Sequence, residues 1–85
     1  MTAKYKPLEN YLQDQPIDID ELTLSFTDIE SIIKADLPKS ARYYRQWWEN
    51  QSDTSNRPQA AAWINAGWEV DTVDQANGWV RFRRK

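Results

Sequence analysis

The segment from Ser40 to Glu49 concentrates the side chains best suited to recognition chemistry. Its ten residues hold four large aromatic rings and two arginines, with no glycine and no proline. At helical spacing Tyr44, Trp47 and Trp48 share one side, and the polar side chains share the other. Arginine bonds guanine bidentately and glutamine bonds adenine. The pattern therefore predicts a helix near residues 40–50 whose polar face could read DNA bases.

Further basic residues extend this predicted DNA surface. Side chains on the polar face of the helix would contact base edges, while Arg57 and the basic C-terminal residues would bind phosphates, a contribution that does not depend on base sequence. The predicted DNA contacts are Lys39, Arg42, Arg45, Gln46, Arg57, Arg81, Arg83 and Arg84. The same cations equally fit a solvated surface in which Arg42 and Arg45 pair with acidic residues, at about 1 kcal/mol or less for each exposed pair.

The distribution of charge favours one basic face more than the net charge does. A formal net charge of −2 argues against binding nucleic acid through bulk charge alone. Residues 1–36 carry eight acidic side chains against three lysines, whereas residues 37–85 carry eight basic side chains against five acidic ones. The second part of the chain is therefore where a DNA surface is expected.

The exposed aromatic residues support a second hypothesis, a protein interaction or inhibitor module. Tryptophan, tyrosine and arginine are the residue types enriched at interface hot spots. Tyr43, Trp47 and Trp79 are the candidates, on the condition that they are exposed together. A large exposed apolar patch on so small a domain would favour this hypothesis over DNA binding.

Catalysis is the weakest hypothesis that the residue types allow. The chain has no histidine and no cysteine, which removes the commonest general base and the thiolate metal ligands. Glu69, Asp71 and Asp74 are the best acidic set, since the first two would share a strand face and offer oxygen ligands to a divalent cation. Alternating acids on a strand are far more often plain surface. We therefore predict no enzyme activity, catalytic residue, metal, cofactor or small-molecule substrate.

The elements that position these residues are predicted from hydrophobic periodicity. Leu8 and Leu12 mark a short first helix, and residues 21–26 alternate as a strand with Leu22, Leu24 and Phe26 inward. Thr27 and Glu30 have the spacing of a capping box that begins the next helix. These elements precede the aromatic segment and place it on a helical scaffold.

The second half of the chain is predicted to contain one more helix and a hairpin. A polar run over residues 50–56 is typical of an exposed loop, and the alanine-rich segment 59–66 of a helix with Gly67 as its C-terminal cap. Strict alternation on both sides of Asn77-Gly78 predicts a β-hairpin. The predicted fold class is α+β, a single domain over residues 1–85 with three to four helices, a short strand and a C-terminal β-hairpin.

This order of elements resembles a winged helix-turn-helix, with one extra helix between the candidate reading helix and the hairpin. In a helix-turn-helix the second helix enters the DNA major groove. The resemblance implies a winged-helix-like, non-catalytic DNA-binding module. The N-terminal segment has no apolar leader and no window is long enough to span a membrane, so we expect a soluble cytoplasmic protein.

Several short motifs also resemble those of a small uncharacterised bacterial domain family. They are Leu37-Pro38-Lys39-Ser40-Ala41, Trp47-Trp48-Glu49-Asn50 and Ala66-Gly67-Trp68-Glu69-Val70, and the resemblance continues through Leu24–Glu30, Ala62-Trp63 and Val80–Arg83. It covers nearly the whole chain. It implies domain limits and no catalytic residue, and it leaves the function open.

Overall fold

The computed structural model describes residues 4–50 and 57–85. Residues 51–56, where most of the polar loop was predicted, lie outside the described residues. The α+β class is confirmed, because four α-helices pack with a three-stranded antiparallel sheet that includes the C-terminal hairpin. The elements are α1 (Lys6–Gln13), β1 (Glu21–Ser25), α2 (Phe26–Ile33), α3 (Lys39–Tyr43), a 3-10 turn (Arg45–Trp48), α4 (Pro58–Asn65), β2 (Trp68–Asp74) and β3 (Trp79–Arg84).

The start of α2 differs from the predicted capping box by two residues. Ser25 is the N-cap: its hydroxyl accepts from the backbone N–H of Asp28 at 2.9 Å, and the Asp28 carboxylate accepts from the N–H of Ser25 at 3.0 Å. The predicted pair, Thr27 and Glu30, lies inside the helix. Phe26 is buried as expected, but as the first residue of α2, because the strand ends where Ser25 satisfies the helix N-terminus.

The sheet has the order β1-β3-β2, so the last strand of the chain is the central one. Leu24 pairs with Val80 and Leu22 with Phe82, which places these apolar side chains on the face that packs against the core. The predicted strict alternation of β2 fails at Asp71, where a bulge shifts the register between Val70 and Thr72. The bulge leaves Asp71 without a partner opposite it on β3.

The single helix predicted near residues 40–50 is wrong. The five-residue α3 ends at Tyr43, Tyr44 is extended with φ −122° and ψ 117°, and a separate 3-10 turn follows. The break lets Trp48 enter the core, where its indole Nε1 donates to the carbonyl of Ala41 at 2.7 Å. Tertiary packing of the indole therefore overrides the local helical pattern.

Aromatic rings supply much of the core, as expected for a short chain. Trp63 and Trp68 are fully buried, and Trp48 lies between Phe26 and Trp63, stacked on both at 5.3 and 5.8 Å between ring centroids. The predicted caps of α4 and the hairpin also form. Gly67 follows α4 with φ +85°, a conformation that glycine adopts without a Cβ clash.

Candidate nucleic-acid interface

A cleft lies between the α3 segment, the 3-10 turn and the start of α4. It is open to solvent and has a volume of about 540 Å³. Two aromatic rings, a guanidinium, two amides and a hydroxyl line it. These belong to Tyr44, Trp47, Arg57, Gln46, Gln59 and Ser40.

Two side chains from the beginning of α4 hold the 3-10 turn in place beside this cleft. Arg57 donates from Nη1 to the carbonyl of Gln46 at 2.8 Å, and Gln59, itself 6% exposed, donates from Nε2 to the carbonyl of Trp47 at 3.3 Å. The Gln46 carbonyl also accepts from the backbone N–H of Glu49 at 3.2 Å, so Arg57 adds a second bond to that oxygen. The position of the cleft wall is therefore set by α4.

The aromatic side of the cleft combines one fixed ring and one exposed ring. Trp47 is half-buried and packs edge-on against Tyr5 and Trp48, with centroid distances of 5.8 and 4.6 Å. Burial beside these rings raises the pKa of the Tyr5 hydroxyl. Tyr44 is 63% exposed. A planar ligand would thus meet a rigid indole and a solvent-exposed phenol.

Among the residues that the structure describes, those lining the cleft include one cation, Arg57, and no anion. Arg57 donates one N–H to a neutral carbonyl, and this bond does not neutralise the positive charge of the guanidinium. Lys39, which adjoins Ser40, and the neighbouring Gln46 are exposed, and within residues 4–50 and 57–85 neither side chain has a recorded partner. The cleft thus combines a positive charge with ring faces, whereas the predicted DNA surface was the polar side of a helix opposite its aromatic rings.

Arg45 faces a different environment. It lines a smaller cleft of about 290 Å³ on the other side of the 3-10 turn, together with Glu49, Asn50 and Asp71. Two carboxylates in that lining offset the charge of the arginine. Arg45 therefore adds less positive potential to a DNA surface than its sequence position indicates.

Arg42 lies in an internal ion pair. Its Nη2 is 3.1 Å from Oε2 of Glu30, the same oxygen that accepts from the backbone N–H of Leu37 at 2.8 Å. The guanidinium also lies 5.6 Å from the centre of the Phe26 ring. Arg42 thus connects α3 to α2. This agrees with the alternative in which Arg42 pairs with an acidic residue of the chain.

The three hairpin arginines also have internal partners. Arg83 is 3.1 Å from Asp71 and 3.7 Å from Glu21, and Arg81 is 3.8 Å from Asp71. Arg84 donates to the carbonyls of Pro16 and Ile19, and its guanidinium lies 4.4 Å from the centre of the Trp68 ring. Each of these arginines thus fastens β3 to neighbouring segments.

The acidic set on β2 does not form a cation site. The Asp71 carboxylate pairs with Arg81 and Arg83, and the Asp74 carboxylate accepts from the side chain and backbone of Asn77. These bonds from Asn77 hold the pKa of Asp74 below its ordinary value. Across residues 4–50 and 57–85, no three acidic side chains gather to hold a metal ion.

The candidate residues for protein interaction are not brought together. Tyr43 is 73% exposed, but Trp47 packs inward and Trp79 lies on the solvent face of the sheet, where Arg81 covers its ring at 5.6 Å. Tyr43 and Tyr44, which are neighbours in the sequence, are the two most exposed large aromatic side chains of the described residues, at 73% and 63%.

Sequence reasoning missed the role of Asn50, which it placed in the exposed loop. The Asn50 side chain accepts from the Trp63 indole N–H at 3.1 Å and from the Val70 N–H at 2.8 Å, and donates to the Val70 carbonyl at 2.9 Å. It thereby ties the 3-10 turn to α4 and β2. Its position two residues after the paired tryptophans was the available signal.

The fold and the cleft define a small α+β domain with no helix, in the described ranges, that is long and apolar enough to cross a membrane. Residues 5–85 match the model of a family described as Domain of unknown function (DUF7662), and the chain belongs to that family. Comparison with curated proteins and with solved structures found no match.

Proposed function

We propose that this domain is a non-catalytic DNA-binding module that contacts unpaired bases and phosphates through the cleft beside the 3-10 turn. The observation that carries the proposal is the composition of the cleft lining. Tyr44 and Trp47 offer ring faces, Arg57 offers a guanidinium, and no carboxylate is among the cleft-lining residues of ranges 4–50 and 57–85. Proteins that bind single strands combine aromatic stacking with a positive groove in this way.

The broken helix favours unpaired bases over the major groove. Alpha3 has five residues, so it is about 7.5 Å long at the helical rise of about 1.5 Å per residue. The 3-10 turn that follows is held by bonds from Arg57 and Gln59, its Trp48 indole is buried in the core, and its Trp47 indole is half-buried beside the cleft. The helix-turn-helix mode, in which a recognition helix inserts side chains into the groove, therefore lacks its main element.

The winged-helix-like part of the proposal rests on topology alone. Strand β1 pairs with β3 of the C-terminal hairpin, and this hairpin follows the helices in the chain, which is the order of elements in a winged helix-turn-helix. The solvent face of that hairpin is not a phosphate surface in this proposal, because Arg81 and Arg83 pair with acidic residues there. The proposed contacts are Lys39, Tyr44, Gln46, Trp47 and Arg57.

The test is a titration of the intrinsic tryptophan fluorescence with oligo-thymidine and with random-sequence duplex DNA. At about 50 mM salt the single strand should bind more tightly than the duplex, and raising the salt to about 200 mM should weaken binding steeply. If neither the single strand nor the duplex binds at the lower salt, the proposal is refuted.

Two adjacent tyrosines provide a matched pair of variants. Tyr44→Ala should weaken binding of the single strand by about tenfold, within the range of about 1–3 kcal/mol for one base stacked on an aromatic ring. Tyr43→Ala is the control, since Tyr43 is more exposed but does not line the cleft. Equal losses in the two variants would show that the cleft is not the binding site.

Charge at the cleft is tested separately. Arg57→Gln should lower the slope of log affinity against log salt by about one phosphate contact, whereas Arg83→Gln should leave that slope unchanged. Arg83 is the control because its guanidinium is already paired with Asp71 and Glu21. A reduced slope in the Arg83 variant would move the phosphate contact to the hairpin.

A protein interaction module remains the second candidate function, on one observation. Tyr43 and Tyr44 are adjacent and 73% and 63% exposed. Exposed tyrosine side chains are frequent anchors of protein interfaces. Failure of DNA binding together with loss of partner capture in the Tyr43→Ala variant would favour this function.

A further inference from the structure

The two edges of the sheet are treated differently by the rest of the chain. Strands β1 and β2 are both edge strands, since β3 lies between them. An edge strand presents a row of unpaired N–H and C=O groups, which proteins commonly protect. Of these two edges, one remains available for pairing with another strand.

The edge of β2 is closed by Asn50. In this strand the N–H and C=O of Val70 point away from β3, and both are bonded to the Asn50 amide at 2.8 and 2.9 Å. The bulge at Asp71 interrupts the same edge one residue later. A side-chain amide and a bulge therefore prevent another strand from pairing with β2.

The edge of β1 has no comparable protection. The bonds from Arg84 N–H to the Asp20 carbonyl and from Phe26 N–H to the Gly78 carbonyl, both 2.8 Å, fix which residues face β3. Because bonded pairs alternate along antiparallel strands, Glu21 and Thr23 direct their N–H and C=O groups away from the sheet. No partner for these four groups is present among the described residues, and both side chains are exposed.

The segment leading into this edge is acidic and carries an exposed apolar side chain. Residues 14–21 contain four carboxylates and no basic residue. Ile17 is 91% exposed, and Ile19 is 36% exposed. A strand pairing with β1 would therefore end next to carboxylates and the exposed Ile17, in a segment that Arg84 contacts through the carbonyls of Pro16 and Ile19.

We propose that the β1 edge is a docking site for an extended peptide of a partner protein, in which basic and apolar residues alternate. Residues of the peptide opposite Glu21 and Thr23 would share the solvent face of the sheet, where a lysine or arginine would meet the Glu21 carboxylate on the side away from Arg83, which lies 3.7 Å from it. Residues opposite Leu22 would share the core-facing side, where Leu22 is half-buried and accepts apolar contact. Backbone bonds would supply affinity and the alternating side chains would supply specificity.

A second copy of this chain fits the edge less well than a basic peptide. Antiparallel pairing of two β1 edges centred on Leu22 would place Glu21 of each copy opposite Thr23 of the other, so a second copy offers no cation across from the Glu21 carboxylate. A lysine or arginine of a peptide at that position would add a pair of opposite charges across the strands. Charge complementarity therefore selects a basic partner.

The probe for this proposal is a labelled peptide of three Lys-Val repeats, titrated by fluorescence polarisation at about 50 mM salt. A peptide of the same composition with its lysines and valines in two blocks is the control, since it has the same charge but cannot alternate. The alternating peptide should bind at least about tenfold more tightly, which corresponds to about 1.4 kcal/mol. Equal binding of the two peptides would refute strand pairing.

Thr23 offers a matched pair of variants. Thr23→Pro removes the outward N–H without breaking a bond to β3, and should weaken the peptide by about tenfold; Thr23→Val keeps the N–H and should bind like the unmodified domain. Glu21→Gln should weaken the peptide and flatten its salt dependence. Tyr44→Ala should leave peptide binding unchanged, which separates this site from the DNA cleft.

Amide hydrogen exchange in the unmodified domain provides a readout that needs no variant. Peptide addition should slow exchange of the Thr23 N–H, while the Leu24 N–H, already bonded to β3, should change little. No protection of Thr23 at saturating peptide would overturn the proposal. A dimer in the absence of peptide that Thr23→Pro dissociates would also overturn it, because the occupant would then be a second copy.

Discussion

Replacing Asn50 with alanine removes a side chain that joins the end of the 3-10 turn to both α4 and the edge of β2. The three bonds of its amide, to the Trp63 indole N–H and to the N–H and C=O of Val70, are lost together. The variant therefore measures what this connection contributes to the free energy of unfolding.

The expected loss depends on which of the orphaned groups can reach water. The Trp63 side chain is fully buried, so its N–H would be left without a partner, at a cost of about 1–3 kcal/mol. Val70 is only half-buried and lies at a sheet edge, so water can replace the amide there. We expect Asn50→Ala to lower the free energy of unfolding by about 1–3 kcal/mol, mostly through Trp63.

The assay is urea unfolding followed by tryptophan fluorescence and circular dichroism. Asn65→Ala is the matched control, because Asn65 is an exposed asparagine at the end of α4 with no recorded side-chain bond among the described residues. It should change stability by less than about 0.5 kcal/mol. A double-mutant cycle with Trp63→Phe, which lacks the indole N–H, isolates the bond between Trp63 and Asn50.

Two results would refute this reasoning. A loss in Asn50→Ala no larger than in Asn65→Ala would show that the three bonds contribute little. A coupling energy near zero between Asn50→Ala and Trp63→Phe would show that the cost arises at Val70 instead.

Two further perturbations test local features. Lys34→Gly should stabilise the domain by up to about 1 kcal/mol in thermal unfolding, because Lys34 caps α2 at φ 57°, where glycine is unstrained; Lys34→Ala keeps the Cβ and should give no gain. Asp74 has a folded-state pKa below its ordinary 3.8, so its contribution is complete above that value and is lost as the pH falls through the folded pKa. The stability difference between the unmodified domain and Asp74→Asn should therefore be constant above about pH 5 and shrink below pH 3.8; a difference independent of pH would contradict the assignment.

The periodic segments were predictable because their local pattern agrees with their tertiary environment. Leu8 and Leu12 mark the buried stripe of α1, and Asn77-Gly78 marks the hairpin that joins β2 to β3. Where alternation, turn residues and helix spacing all favour the same element, the local sequence is sufficient to predict that element. The N-cap of α2 was predicted two residues late. Both Ser25-Asp28 and Thr27-Glu30 place an acidic residue three positions after a hydroxyl residue, which is the spacing of a capping box.

The candidate site was only partly predictable. Gln46 and Arg57 were identified by residue type, and both line one cleft, whereas Lys39 adjoins the lining residue Ser40 in the sequence. The pairing of Arg42 with Glu30 and of Arg83 with Asp71 depends on residues distant in sequence, so a count of cations overestimated the basic surface. The role of Asn50 was missed because its partners, Trp63 and Val70, lie 13 and 20 residues away.

Local periodicity and residue volume are enough to predict the α+β class, the hairpin, the short helices and the aromatic content of the core. The break of the aromatic segment at Tyr44 and the burial of Trp48 follow from tertiary contacts. The same contacts establish which cations are paired and which sheet edge is closed. These outcomes depend on contacts between segments far apart in the chain, whose competing energies no local pattern encodes.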